Sequence, residues 1–366
     1  GVWGVRNDVA IQGDIVYLSD WNRGLVVYDA SGPGDLVELT NYSVPGSLRD
    51  FEFVGDIAYL VCQSEIQSVD VSDPSAPVKL GFFRTTGSPQ NVHVKGDRLY
   101  LCDQYGFYIL DITDPVNMVR VGAQWLAKEG NPYDAEVHGS YAFVANGWKG
   151  MKVVDISDET DPEPVLTWPG DNSKSYVAVE TVGQQLYFLD PGRGLDILDI
   201  SDPLNPVLAG QVDFGSLTVN DFVLQGTLLY LAAGEEGAFV WDIKDPANPV
   251  LMARVDTPGD ALGINADEET LYVADEFNFS VYTRGSFAVD NTPPDVTLLS
   301  PVAMDRIQEK TLMVYGTASD NDSGVQMVEV SLDGGESWVQ AWGQETWSIP
   351  MIGVPLGPVS LAVRAK

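Results

Sequence analysis

Hydrophobic and polar positions along this chain alternate with a period of two, in short runs that keep returning. Such alternation predicts half-buried β-strands, whose successive side chains point to opposite faces. From Leu99 to Val119 the chain reads LYLCDQYGFYILDITDPVNMV. This predicts an apolar strand, a turn at Asp103-Gln104-Tyr105-Gly106, a second strand FYILDI, and a turn at Thr113-Asp114-Pro115. Other copies are DIVYLSDWNRGLVVYDA, DIAYLVCQSEIQSVDVSDP, SYAFVANGWKGMKVVDISD, QLYFLDPGRGLDILDISDP and TLLYLAAGEEGAFVWDIKDP. A seventh, TLYVADEFNFSVYTR, keeps the strands and lacks the Asp-Pro ending.

Two markers set the period. Gly13, Gly55, Gly96, Gly139, Gly183 and Gly226 end the first strand of each unit, 41 to 44 residues apart. Asp29, Asp70, Asp111, Asp155, Asp199 and Asp242 end the third strand at the same spacing. A unit of about 42 residues is the length of a four-stranded propeller blade. In the second unit the strands are expected at Phe51–Phe53, Ile57–Val61, Ile66–Val71 and Val78–Phe82. Gly-Asp links the first two because glycine tolerates positive φ. Ser72-Asp73-Pro74 turns the third into the fourth, the Asp bonding the backbone ahead and the Pro presetting φ. No segment has the length and 3.6-residue period of a globular helix.

Six full units and a seventh from about Ala261 occupy residues 1–288. The expected fold is all-β, a seven-bladed β-propeller of about 42-residue blades. Phe287–Val289 is the expected reduced fourth strand of the last blade. The aromatic that recurs in the second strand (Tyr17, Tyr59, Tyr100, Tyr141, Tyr187, Tyr230, Tyr272) is expected to fill the space between blades. From Asp290 the markers stop. DNTPPDVTLLSP reads as a stiff Pro-rich joint, followed by strands at Leu312–Gly316, Val325–Leu332 and Trp338–Ala341. Two more lie in WSIPMIGVPLGPVSLAVRA, so residues 289–366 predict a C-terminal Ig-like β-sandwich.

The repeats resemble the LVIVD family over residues 1–285, in the third-strand patterns GLVVYD, GMKVVD and GLDILDISDP and the DISDPxxP ending. Units one, two and seven depart from the pattern, with Gly32-Pro33-Gly34, no Gly before Ile66, and no Asp-Pro. The run TPP…SP…GTASDNDSGV…VEVSLDGG…W resembles bacterial immunoglobulin-like modules of cell-surface proteins. These resemblances imply a surface or secreted protein, with the sandwich as a spacer or stalk, and name no reaction.

Charge narrows the partners. Against 53 acidic residues stand 20 basic ones, a net charge of −33. Nucleic acid needs a Lys/Arg footprint, so it is excluded as a partner, and an acidic membrane surface is equally unsuited. The balance suits a secreted protein, a high-salt habitat or divalent-cation binding. No apolar run approaches the length of a membrane span. The chain opens mid-pattern at GVWGVRND and stops within the strand pattern VSLAVRAK. The expectation is a piece of something longer, with its targeting segments outside it.

Most catalytic templates fail on inventory. His93 and His138 are the only histidines, and both read as core or rim residues. There is no G-x-S-x-G, HExxH, CxxC or phosphate-cradling glycine loop. Cys62 and Cys102 lie on opposite faces of consecutive blades, which allows a bridge between them or two free core thiols.

Three groups of residues remain as candidates. On the rim formed by the second-to-third-strand turns stand Trp21, Arg23, Tyr105, Trp148, Lys149, Arg193 and Phe277. Exposed aromatics there can stack on sugars or anchor a partner, and the competing reading folds each ring over the next blade. Five residues before the marker glycines stand Asp8, Asp50, Asn91, Asp134 and Asp221, expected to line the central channel. These carboxylates either bind cations or tie one blade to the next through backbone N–H groups. In the sandwich, Asp320 and Asp322 alternate in DNDSG, a candidate calcium loop that lacks the distal Glu of an EF-hand.

The leading expectation is a non-enzymatic surface or secreted protein binding a protein or glycan on the propeller rim, with no cofactor other than calcium. One alternative is a carbohydrate-active enzyme using two channel carboxylates. The other is a self-assembling subunit of a surface layer or filament.

Overall fold

In the computed structural model the described residues are 8–32, 35–126, 130–168, 175–267, 270–275, 279–283, 295–301, 311–319, 328–334, 337–342, 346–352 and 359–365. Two compact units divide the chain, Gly1–Gly285 and Ser286–Lys366.

The first unit is a succession of antiparallel sheets. Six have four strands hydrogen-bonded in chain order, and a seventh has three among the described residues. The third is representative: Pro89–Lys95, Arg98–Asp103, Gly106–Asp111 and Val119–Trp125. Innermost strands succeed one another around a central axis: Val9–Gln12, Asp50–Val54, Pro89–Lys95, Asp134–His138, Ala178–Val182, Asp221–Gln225 and Ala261–Ala266. Hydrophobic faces pack between neighbouring sheets. Tyr59, Val61, Leu99, Leu101 and Tyr108, for example, form one cluster between the second and third.

The ring closes through side chains. Val9, Val16, Leu18 and Val26 of the first sheet share a cluster with Tyr272 and Ala274 of the seventh. Tyr28 stacks on Phe279 at 6.1 Å between ring centroids. Asn265 Nδ2 donates to the Val9 carbonyl at 2.6 Å. Phe287–Val289 lies outside the described residues.

The six marker glycines all adopt φ between 56° and 63°. No neighbouring atom would meet an added Cβ there, so the left-handed backbone alone asks for glycine. The six marker aspartates each accept an N–H two residues ahead, closing an Asx turn as the third strand ends.

Every one of the six four-stranded sheets has a register shift between its third and fourth strands at the same place. In the second, third and fifth sheets a glycine of the fourth strand stands there: Gly81, Gly122 and Gly210. A Cβ on any of them would overlap a backbone carbonyl in the Asp-Pro loop of the following sheet, at Val116, Glu159 and Pro246 respectively. Ser68 Oγ also donates to the Pro115 carbonyl at 2.5 Å. The repeated Asp-Pro turn thus closes a hairpin and also fills a notch in its neighbour.

One expectation changes, and one alternative is decided. The buried aromatic series runs through Phe143 in the fourth sheet rather than Tyr141. Phe143 pairs with Val153 just as Tyr100 pairs with Ile109, whereas Tyr141 pairs with Asp155 at the strand end. Cys62 and Cys102 are both buried and free. Cys62 sits in the cluster between the first and second sheets, and Cys102 in that between the third and fourth. Their opposite faces turn away from the shared interface, not into it.

The second unit pairs Asp295–Ser300, Thr311–Ser319 and Thr346–Ile352 in one sheet, and Val339–Gln340, Val328–Ser331 and Ala362–Ala365 in another. Val314, Val328, Val330, Trp347 and Ile349 form the core between them. The stretch read as a Pro-rich joint therefore contains a strand: in DVTLLS, Val296 and Leu298 alternate inward and pack on that core.

Candidate functional site

Alternate residues of the innermost strands carry two layers of polar side chains. Because a strand repeats every two residues, one position and the next-but-one take the same face of the sheet. The upper layer contains Asp8, Asp50, Asn91, Asp134 and Asp221. Asp50 Oδ2 accepts the N–H of Val92 at 2.8 Å, Asp134 Oδ2 that of Val179 at 2.9 Å, and Asp221 Oδ2 that of Ile264 at 3.1 Å. Asp8 accepts the N–H of Phe51. Each of these four carboxylates holds the backbone of the following sheet. Burial pushes the Asp8 carboxyl well above its ordinary range, and the nearby Asp50 carboxylate adds to this.

A second layer, two residues along each strand, escaped the sequence reading. Three residues before the marker glycines stand Glu52, His93, Glu136 and Glu180. His93 Nδ1 lies 3.2 Å from Glu136 Oε2 and 3.9 Å from Glu52 Oε2. Glu52 accepts the N–H of Val94, Glu136 accepts the hydroxyl of Thr181 at 2.7 Å, and Glu180 accepts the N–H of Leu224. Two residues beyond His93, Lys95 Nζ donates to the Val137 carbonyl at 2.7 Å.

Burial dominates the electrostatics of this layer. It raises Glu52 to about 8 and Glu136 to about 7, with neighbouring carboxylates pushing the same way. It raises Glu180 well above the ordinary range. It lowers His93 to about 4, helped by the Lys95 ammonium. His93 is therefore neutral at pH 7, and its approach to Glu136 is a hydrogen-bonding contact, not an ion pair. The signal that could have found this layer was the period-2 rule applied onward from the aspartates.

The rim above the channel is made of the second-to-third-strand turns and the connections between sheets. In the third sheet, Asp103 is fully buried and holds three N–H groups. Its Oδ1 accepts from Tyr105 at 2.7 Å and Gly106 at 3.0 Å, and its Oδ2 from Gly87 of the incoming connection at 3.0 Å. Asp190 repeats the device in the fifth sheet, accepting from Gly192 and Ser175. A backbone locked in this way presents the turn side chain outward.

Trp21 and Tyr105 are each 39% exposed and Trp148 is 59% exposed. The Arg49 guanidinium lies 6.0 Å from the Trp21 ring centroid, and Lys149 Nζ lies 4.1 Å from that of Trp148. Both are cation–π distances. Arg23 turns outward to an ion pair with Glu38. Arg193 is exposed in its turn. Trp21 and Arg23, Tyr105, Trp148 and Lys149, and Arg193 stand in the second-to-third-strand turns of the first, third, fourth and fifth sheets respectively. Phe277, Asp320 and Asp322 lie outside the described residues. Among the described residues no group of three or more His, Cys, Asp or Glu is placed to hold a metal ion, and no helix is long and apolar enough to cross a membrane.

Comparison with known proteins follows the same division. The LVIVD repeat matches residues 4–44, 45–85, 86–123, 129–167, 177–214 and 218–257, and the bacterial Ig domain matches residues 294–361. No curated protein sequence matches the chain. Among solved structures, a functionally unknown protein from Desulfotomaculum acetoxidans is similar at 14% identity and a TM-score of 0.59, covering 75% of this chain and 91% of its own. A protein from Lactobacillus plantarum is similar at 14% identity and a TM-score of 0.62, covering 70% of this chain and 86% of its own. The WD40 β-propeller domain of Doa1 is similar at 11% identity and a TM-score of 0.62, covering 77% of this chain and 93% of its own. At these identities the likeness is one of fold alone.

Proposed function

Because the chain belongs to the LVIVD repeat family, we propose that it is a non-enzymatic binding protein of the cell surface or its surroundings, its propeller rim contacting a protein or glycan. A propeller of these repeats followed by a bacterial Ig domain fits a surface or extracellular protein. The observation that carries the binding role is the outward display of Trp21, Tyr105 and Trp148 on one face, from turns fixed by buried or half-buried polar groups. Large aromatics exposed in rigid turns bind at little entropic cost, since the backbone is already ordered.

The enzyme reading has less support. Its acid and base would come from Asp8, Asp50, Asp134 and Asp221, and each already accepts a backbone N–H from the next sheet. A carboxylate so engaged is costly to release for proton transfer. Assembly into a layer or filament is a further outcome, which light scattering of the purified chain would reveal.

The test is capture of ligands from the native cell surface, and from a glycan panel, by the immobilised chain. Trp21→Ala and Trp148→Ala should each weaken capture about tenfold, the size expected for an anchoring aromatic. Both should leave the melting temperature unchanged. No capture of any ligand, or equal capture by the variants, would overturn the reading.

A further inference from the structure

At the outer edge of the rim, between the second and third sheets, a further aromatic stands in the open. Trp125 ends the outer strand of the third sheet and is 59% exposed. Its ring lies 6.2 Å from Tyr105 at 46°, and 6.1 Å from Tyr108 in an edge-to-face arrangement at 77°. Register places it there. Gly106 pairs with Trp125 and Tyr108 with Ala123, so Tyr108 and Trp125 share the face turned toward the second sheet. Asp103, saturated by three N–H groups, holds Tyr105 in place beside them. The two exposed rings therefore form a fixed, tilted platform.

Guanidinium and hydroxyl groups adjoin this platform through Tyr108. A depression between the two sheets is lined by Phe83, Arg84, Thr85, Thr86, Tyr108 and Arg120, together with Leu101, and by no carboxylate. The hydroxyls of Thr86 and Tyr108 are 3.3 Å apart. Arg120 is exposed and has no ion-pair partner among the described residues. In a chain of net charge −33, most cations are expected to find a carboxylate. Arg84 stands opposite Glu65 across the paired strands, and the buried Asp103 carboxylate lies near the Tyr108 hydroxyl, so Arg120, exposed and also near that hydroxyl, is the local exception.

We infer that this notch binds an anionic polysaccharide, with a sugar ring stacked on Tyr105 and Trp125 and a carboxylate of the chain held by Arg120. The inference rests on the rim-binding reading and names its ligand class and its place. A pyranose ring offers an apolar face that suits the platform and equatorial hydroxyls that suit the exposed Thr86. The planar guanidinium presents paired donors matched to a carboxylate, and a neutral glycan would leave it unused. The field of the rest of the molecule opposes polyanions, so the contact is local and short in chain length.

The experiment is isothermal titration of the full chain with oligogalacturonate and, in parallel, with neutral cello-oligosaccharide. Oligogalacturonate should bind more tightly than the neutral chain, and less tightly as salt is raised. Trp125→Ala should weaken it about tenfold, as should Arg120→Gln, with Arg120→Lys recovering part of the loss. Trp125 and Arg120 are exposed, so both variants should melt as the parent does. Equal binding of the two sugars, or an unaffected Arg120→Gln, overturns the inference. So does binding that survives Trp125→Ala but is lost in Trp21→Ala or Trp148→Ala, although rim binding then stands. Capture of a protein ligand with no binding of either oligosaccharide overturns the inference alone.

Discussion

Gly210, in the outer strand of the fifth sheet, faces the carbonyl of Pro246, in the Asp-Pro turn of the sixth, so closely that a Cβ could not fit between them. The same fit recurs at Gly81 and Gly122, each against the loop of the sheet that follows. Gly210→Ala should therefore push two sheets apart. The overpacking cost is about 1–3 kcal/mol, read as a lower midpoint in chemical denaturation. Gly183→Ala should destabilise through backbone strain at φ 63° instead, leaving the packing between sheets intact. Hydrogen exchange on the Asp-Pro turn of the sixth sheet distinguishes the two.

Asp134 is buried and accepts two backbone N–H groups, from Ala135 at 2.8 Å and from Val179 at 2.9 Å. Asp134→Ala strands both donors and should cost about 1–3 kcal/mol or more. Asp134→Asn keeps one oxygen for two donors, so it should recover only part of that loss. A melting temperature for Asp134→Asn equal to the parent's would show that the link to Val179 carries little.

The channel carboxyls give stability a definite pH dependence. Glu52 titrates at about 8 and Glu136 at about 7 in the folded protein, against 4.5 ordinarily. Between 4.5 and these values the folded chain binds protons that the unfolded chain does not. Their contribution is fully present below 4.5 and is lost as pH rises through 7 and 8. His93 works in the opposite sense, since it stays neutral to about 4 while the unfolded chain protonates at 6.5. The clean window is thus pH 6.5–8.5, where the melting temperature should fall as pH rises. Glu52→Gln and Glu136→Gln should flatten that slope.

Both cysteines should be inert in the native protein. Burial pushes the Cys62 thiol up to about 12 and raises that of Cys102 well above its ordinary value. Little thiolate forms, and reagent has no access. Iodoacetamide at pH 8 should modify neither until denaturant unfolds the chain, and a reductant should leave the melting temperature unchanged. Rapid labelling of the native protein would contradict the packing on either side of the second and third sheets.

The sequence by itself determined the repeat, and with it the strands, the turns and the division into two units. The reason is local: period-2 burial, a glycine with φ near 60°, and an Asx turn before proline each act within a few residues. It also singled out Asp8, Asp50, Asp134 and Asp221 as one recurring position. Only the tertiary structure decided what meets across the sheets. Their carboxylates reach N–H groups about 42 residues away, and Glu52, His93 and Glu136 come together from three sheets. The glycine notches, the seam between Asn265 and Val9, and the meeting of Tyr105 with Trp125 likewise arise from register and from the packing of one sheet on another. Alternation says which face a side chain takes, and the closed ring says what it finds there.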